Sequence, residues 1–274
     1  MPGTELILQT ETSKFMMSVI LKTSAGNAVV IDGGRAEDLP LLAELVGGSP
    51  VKAWILTHPH PDHIGGFIHA VKEGFGSLAP EAVRYRFPPL DLVEKYRPKE
   101  TKALREFLEI EDRIRPLAVT PKEGDRFAVD ELTFTVLLTF EEDDPVVPLR
   151  PEDRASVIND SSMIFRVEGP HKSVLFLADA GPKEGDRLFA RHWRELKSDI
   201  VQMAHHGHCG VGPEVYIAAA PESCLWCCPD WLYDEDPFVI PDRLCGTRMT
   251  RVWMDALGVK HHIVTKDGTQ RLPL

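Results

Sequence analysis

The residues of this chain best suited to chemistry form one run, Thr57-His58-Pro59-His60-Pro61-Asp62-His63-Ile64-Gly65-Gly66. It packs three imidazoles and a carboxylate into six positions, directly after the apolar stretch Val51 to Leu56. So many polar groups at the end of a buried strand are costly unless something satisfies them. A residue before proline is driven to extended backbone, so His58 and His60 should both be extended. Alternate side chains on an extended chain share a face, which lets this pair hold one cation. Asp62 and His63 lie past the second proline, where the chain turns into a helix, and can face a second cation. Imidazole with carboxylate is a zinc-compatible donor set.

Short strands alternating with helices must position this run. Phe15 to Lys22 and Ala28 to Ile31 read as strands paired through a Gly26-Asn27 turn. Leu39 to Val46 reads as a helix stopped by Gly47-Gly48. Val51 to Leu56 reads as a buried strand, and Ile64 to Lys72 as the helix after it. Residues 91–114 are charged and helix-forming, broken at Pro98, and read as a surface insertion. Strand patterns recur at Arg126 to Val129, Leu132 to Leu138, Ser162 to Val167, Ser173 to Leu177 and Ile200 to Ala204. Gly185 to Leu196 and Thr250 to Leu257 read as helices, and the C-terminus as a hairpin turning at Asp267-Gly268. The acidic, Pro-rich stretch 141–154 reads as a long loop and a candidate lid. Strand pairs mixed with helices throughout favour an α/β fold, one domain over residues 1–274.

Composition narrows the partners. The chain has 274 residues, with 31 Lys+Arg against 42 Asp+Glu and a net charge of −11. That balance disfavours nucleic acid and anionic membrane surfaces. No apolar run approaches the roughly 20 residues that span a bilayer. The five cysteines are an odd count, which fits reduced thiols and a cytoplasmic protein better than a disulfide framework. Ser223 to Cys228 reads as a buried strand in which cysteine acts as a small hydrophobe.

The run at residues 57–66 resembles the H-x-H-x-D-H signature of the metallo-β-lactamase superfamily, and the likeness extends along most of the chain. Ile31-Asp32-Gly33-Gly34 is similar to the family's Asp-Gly turn, and Leu175-Phe176-Leu177-Ala178-Asp179 to the strand that ends in its bridging Asp. Ile200 to His205-His206-Gly207 is similar to the strand that ends in its last His. Asn159-Asp160-Ser161-Ser162, the His-His-Gly element and Thr265-Lys-Asp-Gly268 further resemble the soluble hydrolase domain of DNA-uptake competence channels and its stand-alone relatives.

The resemblance implies a four-layer αβ/βα sandwich with a helical insertion near residues 90–115. It implies two zinc ions, or manganese or iron, held by His58, His60, Asp62, His63, Asp179 and one or both of His205 and His206. Asp32 is then expected to orient a ligand rather than bind metal. The implied reaction is hydrolysis by a metal-bound hydroxide, with Asp62 in the chemistry and His206 or His208 giving a proton to the leaving group. One departure stands out. Many members of the family supply a further His between the signature and the bridging Asp, and residues 64–178 contain only His69 and His171, both expected on the surface. Either His205 or His206 fills the gap, which requires a bend after Ala204, or that site is weak and only partly occupied by metal.

For the substrate, a phosphodiester or related small ester is expected. Lactone, amide or thioester hydrolysis on the same site is the alternative, and a metal-stabilised binding protein without turnover is the other. Trp231 and Tyr233 read as loop aromatics able to stack on a ligand. Arg243, Arg248 and Arg251 read as a solvated helix face.

Overall fold

Strands that are apolar on both faces must be covered on both faces, and that requirement shapes the whole molecule. The computed structural model describes residues 3–141, 157–235 and 246–274. All but the first residue of the expected lid, and Arg243, lie outside the described residues.

One sheet is built from β1 (Glu5–Leu8), β2 (Ser18–Lys22), β3 (Ala28–Asp32), β4 (Val51–Ile55), β5 (Val83–Arg84) and β6 (Ala118–Val119). The other is built from β7 (Arg126–Val129), β8 (Leu132–Leu138), β9 (Ile164–Glu168), β10 (Ser173–Phe176), β11 (Ile200–Gln202), β12 (Ser223–Trp226) and β13 (His261–Val264). The last strand, β14 (Gln270–Pro273), returns to the first sheet beside β1. The orders are β14-β1-β2-β3-β4-β5-β6 and β13-β12-β11-β10-β9-β8-β7.

Alternation along β3 shows how the layers form. Val29 and Ile31 join the core between the sheets, while Ala28 and Val30 face the helices outside. Helices α1 (Leu39–Val46), α2 (Pro61–Lys72), α3 (Leu90–Tyr96) and α4 (Lys102–Ile114) belong to the first half. Helices α5 (Pro182–His192), α6 (Pro213–Ala219) and α7 (Thr247–Ala256) cover the second sheet, through Leu188, Val215 and Met254 among others. The result is the expected four-layer αβ/βα sandwich. No helix among the described residues is long and apolar enough to cross a membrane.

Three expectations are corrected. The segment read as a surface insertion does form two helices broken at Pro98, but α4 is a core layer. Its Phe107, Ile110 and Ile114 are buried with Phe67 of α2, because the charged residues between them occupy only its outer face. The C-terminal hairpin is absent. A turn at Thr265–Asp267 carries the chain from β13 in one sheet to β14 in the other. Cys224, Cys227 and Cys228 are free and buried as expected, but Cys209 is disulfide-bonded.

Helix α2 is seated by close backbone approach. Gly66 N donates to Gly34 O (2.9 Å), and a Cβ at Gly66 would collide with the Gly33 carbonyl oxygen. Gly66→Ala is therefore expected to cost about 2–3 kcal/mol, the upper end for overpacking. Thermal or denaturant unfolding measures it.

Candidate metal centre

The two prolines of the histidine run set its geometry. Pro61 is the first residue of α2, where its missing N–H costs nothing. His60 precedes it in extended conformation (φ −93°, ψ 149°). The helix thus starts before the expected Ile64 and puts Asp62 and His63 on its first turn. His58 and His60 lean together, with His58 Nε2 3.2 Å from His60 Nδ1.

Two further strand ends complete the cluster. Asp179 follows β10, and its carboxylate lies 3.6 Å from His58 Nε2 and 3.2 Å from His63 Nε2. His206 follows β11, with Nε2 3.2 Å from Asp62 and 3.5 Å from Asp179. The potential ligand atoms form two groups, each within 4.8 Å: Asp62, His63, Asp179 and His206, then His58, His60 and Asp179. Asp179 belongs to both.

These strand ends are held in unusual backbone. Asp32, Ala178, His205 and His206 have φ of 57°, 48°, 52° and 57°, a left-handed region that costs a non-glycine residue about 1–3 kcal/mol. Gly207 continues the bend at φ 83°. The buried Gln202 braces it. Its Oε1 accepts from Leu177 N (2.9 Å) and its Nε2 donates to Ala178 O (3.1 Å) and Met203 O (2.7 Å). Gln202 had no role in the sequence reading; its one signal is a lone amide inside an apolar run.

The bend after Ala204 is present, but it does not bring both imidazoles to the first cation. His206 turns into the four-donor group. His205 belongs to neither group and meets Asn159, whose Nδ2 donates to its Nε2 (3.2 Å). His206 Nδ1 donates to Cys227 O (2.8 Å), which leaves Nε2 facing the carboxylates of Asp62 and Asp179. Nε2 is thus the one ring nitrogen available for either expected role, metal ligand or proton donor. Asp32 is fully buried and accepts from Thr57 N (2.8 Å), Thr57 Oγ1 (2.8 Å) and His63 Nδ1 (2.7 Å). It orients His63 so that Nε2 faces Asp179. His69 and His171 are exposed.

The electrostatics suit a cation. Burial opposes charge on His63, yet Asp179 and Asp32 hold its pKa well above the ordinary imidazole value. Burial also opposes charge on His206, and Asp179 with Asp62 pushes it up to about 9. Burial disfavours ionisation of Asp62 and Asp179, but the facing imidazoles keep both carboxyls below their usual range. His58 is held well below its usual value by burial and then by His63. The carboxylates therefore favour positive charge at His63 and His206, a charge that a divalent ion would supply in place of protons. His63 Nε2 and Asp179 Oδ1 are buried and face each other at 3.2 Å without well-formed hydrogen-bond geometry. Unsatisfied donor atoms of these types, converging at one place, fit a metal.

The cluster opens into a cavity of about 450 Å³ lined by Phe15, His60, Asp62, Lys99, Glu100 and Lys102 among others. Phe15 stands edge-on to His206 at 4.9 Å, with Trp231 beyond it at 6.1 Å. Tyr233 instead packs edge-on against Trp226 (5.2 Å) under Arg251 (4.6 Å), so both are structural. Lys99, Glu100 and Lys102 went unnoticed in the sequence because their approach depends on how α3 and α4 dock.

A family model described as the metallo-beta-lactamase superfamily matches residues 17–209. No curated protein matches the chain. Among solved structures, the metallo-beta-lactamase fold protein YhfI from Bacillus subtilis is 13% identical, covering 98% of this chain and 99% of that one at TM-score 0.54. Zn(2+)-bound PqqB from Methylobacterium extorquens is 13% identical over 99% and 100%, at TM-score 0.56. A diphosphatase from the PhnP family is 13% identical over 99% and 98%, at TM-score 0.53. Identities this low speak to the fold alone.

Proposed function

The chain belongs to the metallo-β-lactamase superfamily, and from that premise we propose that it is a dinuclear metal hydrolase of a phosphodiester or related small anionic ester. The observation that carries the proposal is Asp179 shared by two donor groups, in a cavity that also presents Lys99 and Lys102. Asp62, His63, Asp179 and His206 would hold one ion, and His58, His60 and Asp179 the other. Divalent ions there would supply Lewis acidity at the ester oxygen and make water ionisable near neutral pH. Zinc suits the imidazole-rich sets; manganese and iron accept the same donors. One fold neighbour is a diphosphatase, which agrees with phosphate-ester chemistry on this scaffold. The short elements at Asn159–Ser162 and Thr265–Gly268 support a place near the stand-alone relatives of DNA-uptake hydrolase domains.

The surrounding residues have separate tasks. Asp32 holds His63 with Nδ1–H committed and Nε2 directed inward, and Cys227 O does the same for His206. Gln202 keeps the strand ends at Asp179 and His206 in register. Phe15 covers the edge of His206 and limits water on that side. Lys99 and Lys102 meet the anionic group of the substrate, and the size of the cavity favours a small ester over a polymer.

A substrate panel tests the proposal: bis-p-nitrophenyl phosphate, phosphorylcholine esters, lactones and thioesters. Phosphodiester turnover that a chelator abolishes is the expected result. Lactone or thioester turnover without phosphodiesterase activity would establish the alternative, and metal binding with no turnover the non-catalytic one. Replacing Lys99 and Lys102 together by alanine is expected to raise KM for the phosphodiester roughly threefold to tenfold, the size of one or two exposed ion pairs. Because these lysines meet substrate and transition state alike, kcat should stay near the parent value. Steady-state kinetics at low and high salt measures both.

A further inference from the structure

The two donor groups are unequal: one has four members and the other, His58, His60 and Asp179, has three. Neither His205 nor His206 fills the gap. The short turn Asn159–Ser161 brings a different side chain to this place. Ile158 packs with Val93 and Leu104, Asp179 N donates to Ser162 Oγ (3.2 Å), and Met163 N donates to Thr57 O (2.9 Å). Asn159 is thereby tethered between the strand end that carries Asp179 and the one that carries His58.

The state of its carboxamide is informative. Asn159 is 4% exposed, and its Nδ2 is committed to His205, which lines the cavity together with His60 and Asp179. Its Oδ1 is buried with no hydrogen-bond partner among the described residues. A buried carbonyl oxygen left alone costs about 1–3 kcal/mol, and this one is carried on a turn tied to Asp179 N on one side and to Thr57 O on the other, the chain positions that flank the three-member group. The geometry points to Asn159 Oδ1 as the fourth donor of the His58–His60–Asp179 site. That site is then a mixed nitrogen–oxygen centre, and His205 serves to fix the amide with its oxygen free. A carboxamide oxygen is a hard, neutral donor, so this centre accepts manganese more readily than an all-imidazole one.

The inference rests on the two groups being metal sites, and metal titration tests the two ideas separately. Metal-free protein titrated with zinc against a chromophoric chelator should show two binding steps in the parent. Asn159→Ala should weaken one step at least about tenfold, the lower bound seen when even an outer partner of a ligand is lost. Asn159→Asp keeps an oxygen, adds charge and should restore that step or tighten it. His205→Ala should keep both steps and weaken the same one less than Asn159→Ala does, because it removes only the brace of the amide and leaves its oxygen. Circular dichroism and melting of the metal-free forms check that each variant folds. Two unchanged steps in Asn159→Ala overturn the fourth donor while sustaining the metal sites. A loss in His205→Ala equal to that in Asn159→Ala overturns it as well, in favour of a role through the imidazole. A parent that binds no metal overturns the reading beneath both.

Discussion

Asp179→Ala is expected to lower kcat/KM for the phosphodiester by at least about 10³-fold while leaving a folded chain. Lewis-acid stabilisation is worth several kcal/mol, and each 1.4 kcal/mol is a factor of ten. Asp179 is the one carboxylate common to both donor groups, so its removal weakens both at once. Elemental analysis should show fewer than two metal equivalents in the variant. Fold is read separately by circular dichroism and gel filtration, because Asp179 lies in the loop after β10 and contributes no apolar packing. Asp179→Asn makes a useful comparison. It keeps the shape and one oxygen donor but loses the charge that holds His63 and His206 protonated in the metal-free cluster. Activity within tenfold of the parent in Asp179→Ala would refute the shared-carboxylate reading.

What could be read in advance follows from how local each feature is. His58 and His60 were legible because a residue before proline and an alternating extended chain constrain geometry over five positions. Strands β3 and β4 were legible because both faces are apolar, which only a strand between two layers requires. The choice between His205 and His206 was not legible. It depends on three successive left-handed residues ending at Gly207, and adjacent histidines carry no sequence signal for which one turns inward. Lys99, Glu100 and Lys102 were hidden for another reason. Their helices look solvated by charge, and only the buried face at Phe107, Ile110 and Ile114 brings this segment over the cavity. The path from β13 to β14 was lost likewise, since an Asp-Gly turn is compatible with a hairpin until the partner strands are known. Features set by a few consecutive residues were accessible, and those set by docking were not.

Asp32→Ala is expected to produce the largest loss of stability outside the apolar core, about 4 kcal/mol. The carboxylate is fully buried and accepts three hydrogen bonds, two from Thr57 and one from His63. Breaking a buried charged interaction from one side costs about 3–5 kcal/mol, because the partners stay buried and unpaired. Alanine also tolerates the left-handed backbone at φ 57° less well than aspartate does. For a chain of this size the midpoint should fall by roughly 10 °C in a thermal scan of the metal-free protein. A purely structural carboxylate would stop there. If Asp32 instead orients His63, the four-donor site should also lose about 10- to 100-fold in metal affinity, at unfolding conditions well below the new midpoint. Asp32→Asn separates the two effects. It preserves volume and part of the bonding to Thr57, so most of the stability should return. Its amide cannot accept from every donor at once, so His63 loses a fixed tautomer and the affinity loss should persist. Recovery of stability and affinity together in Asp32→Asn would show that the carboxylate acts on the fold alone.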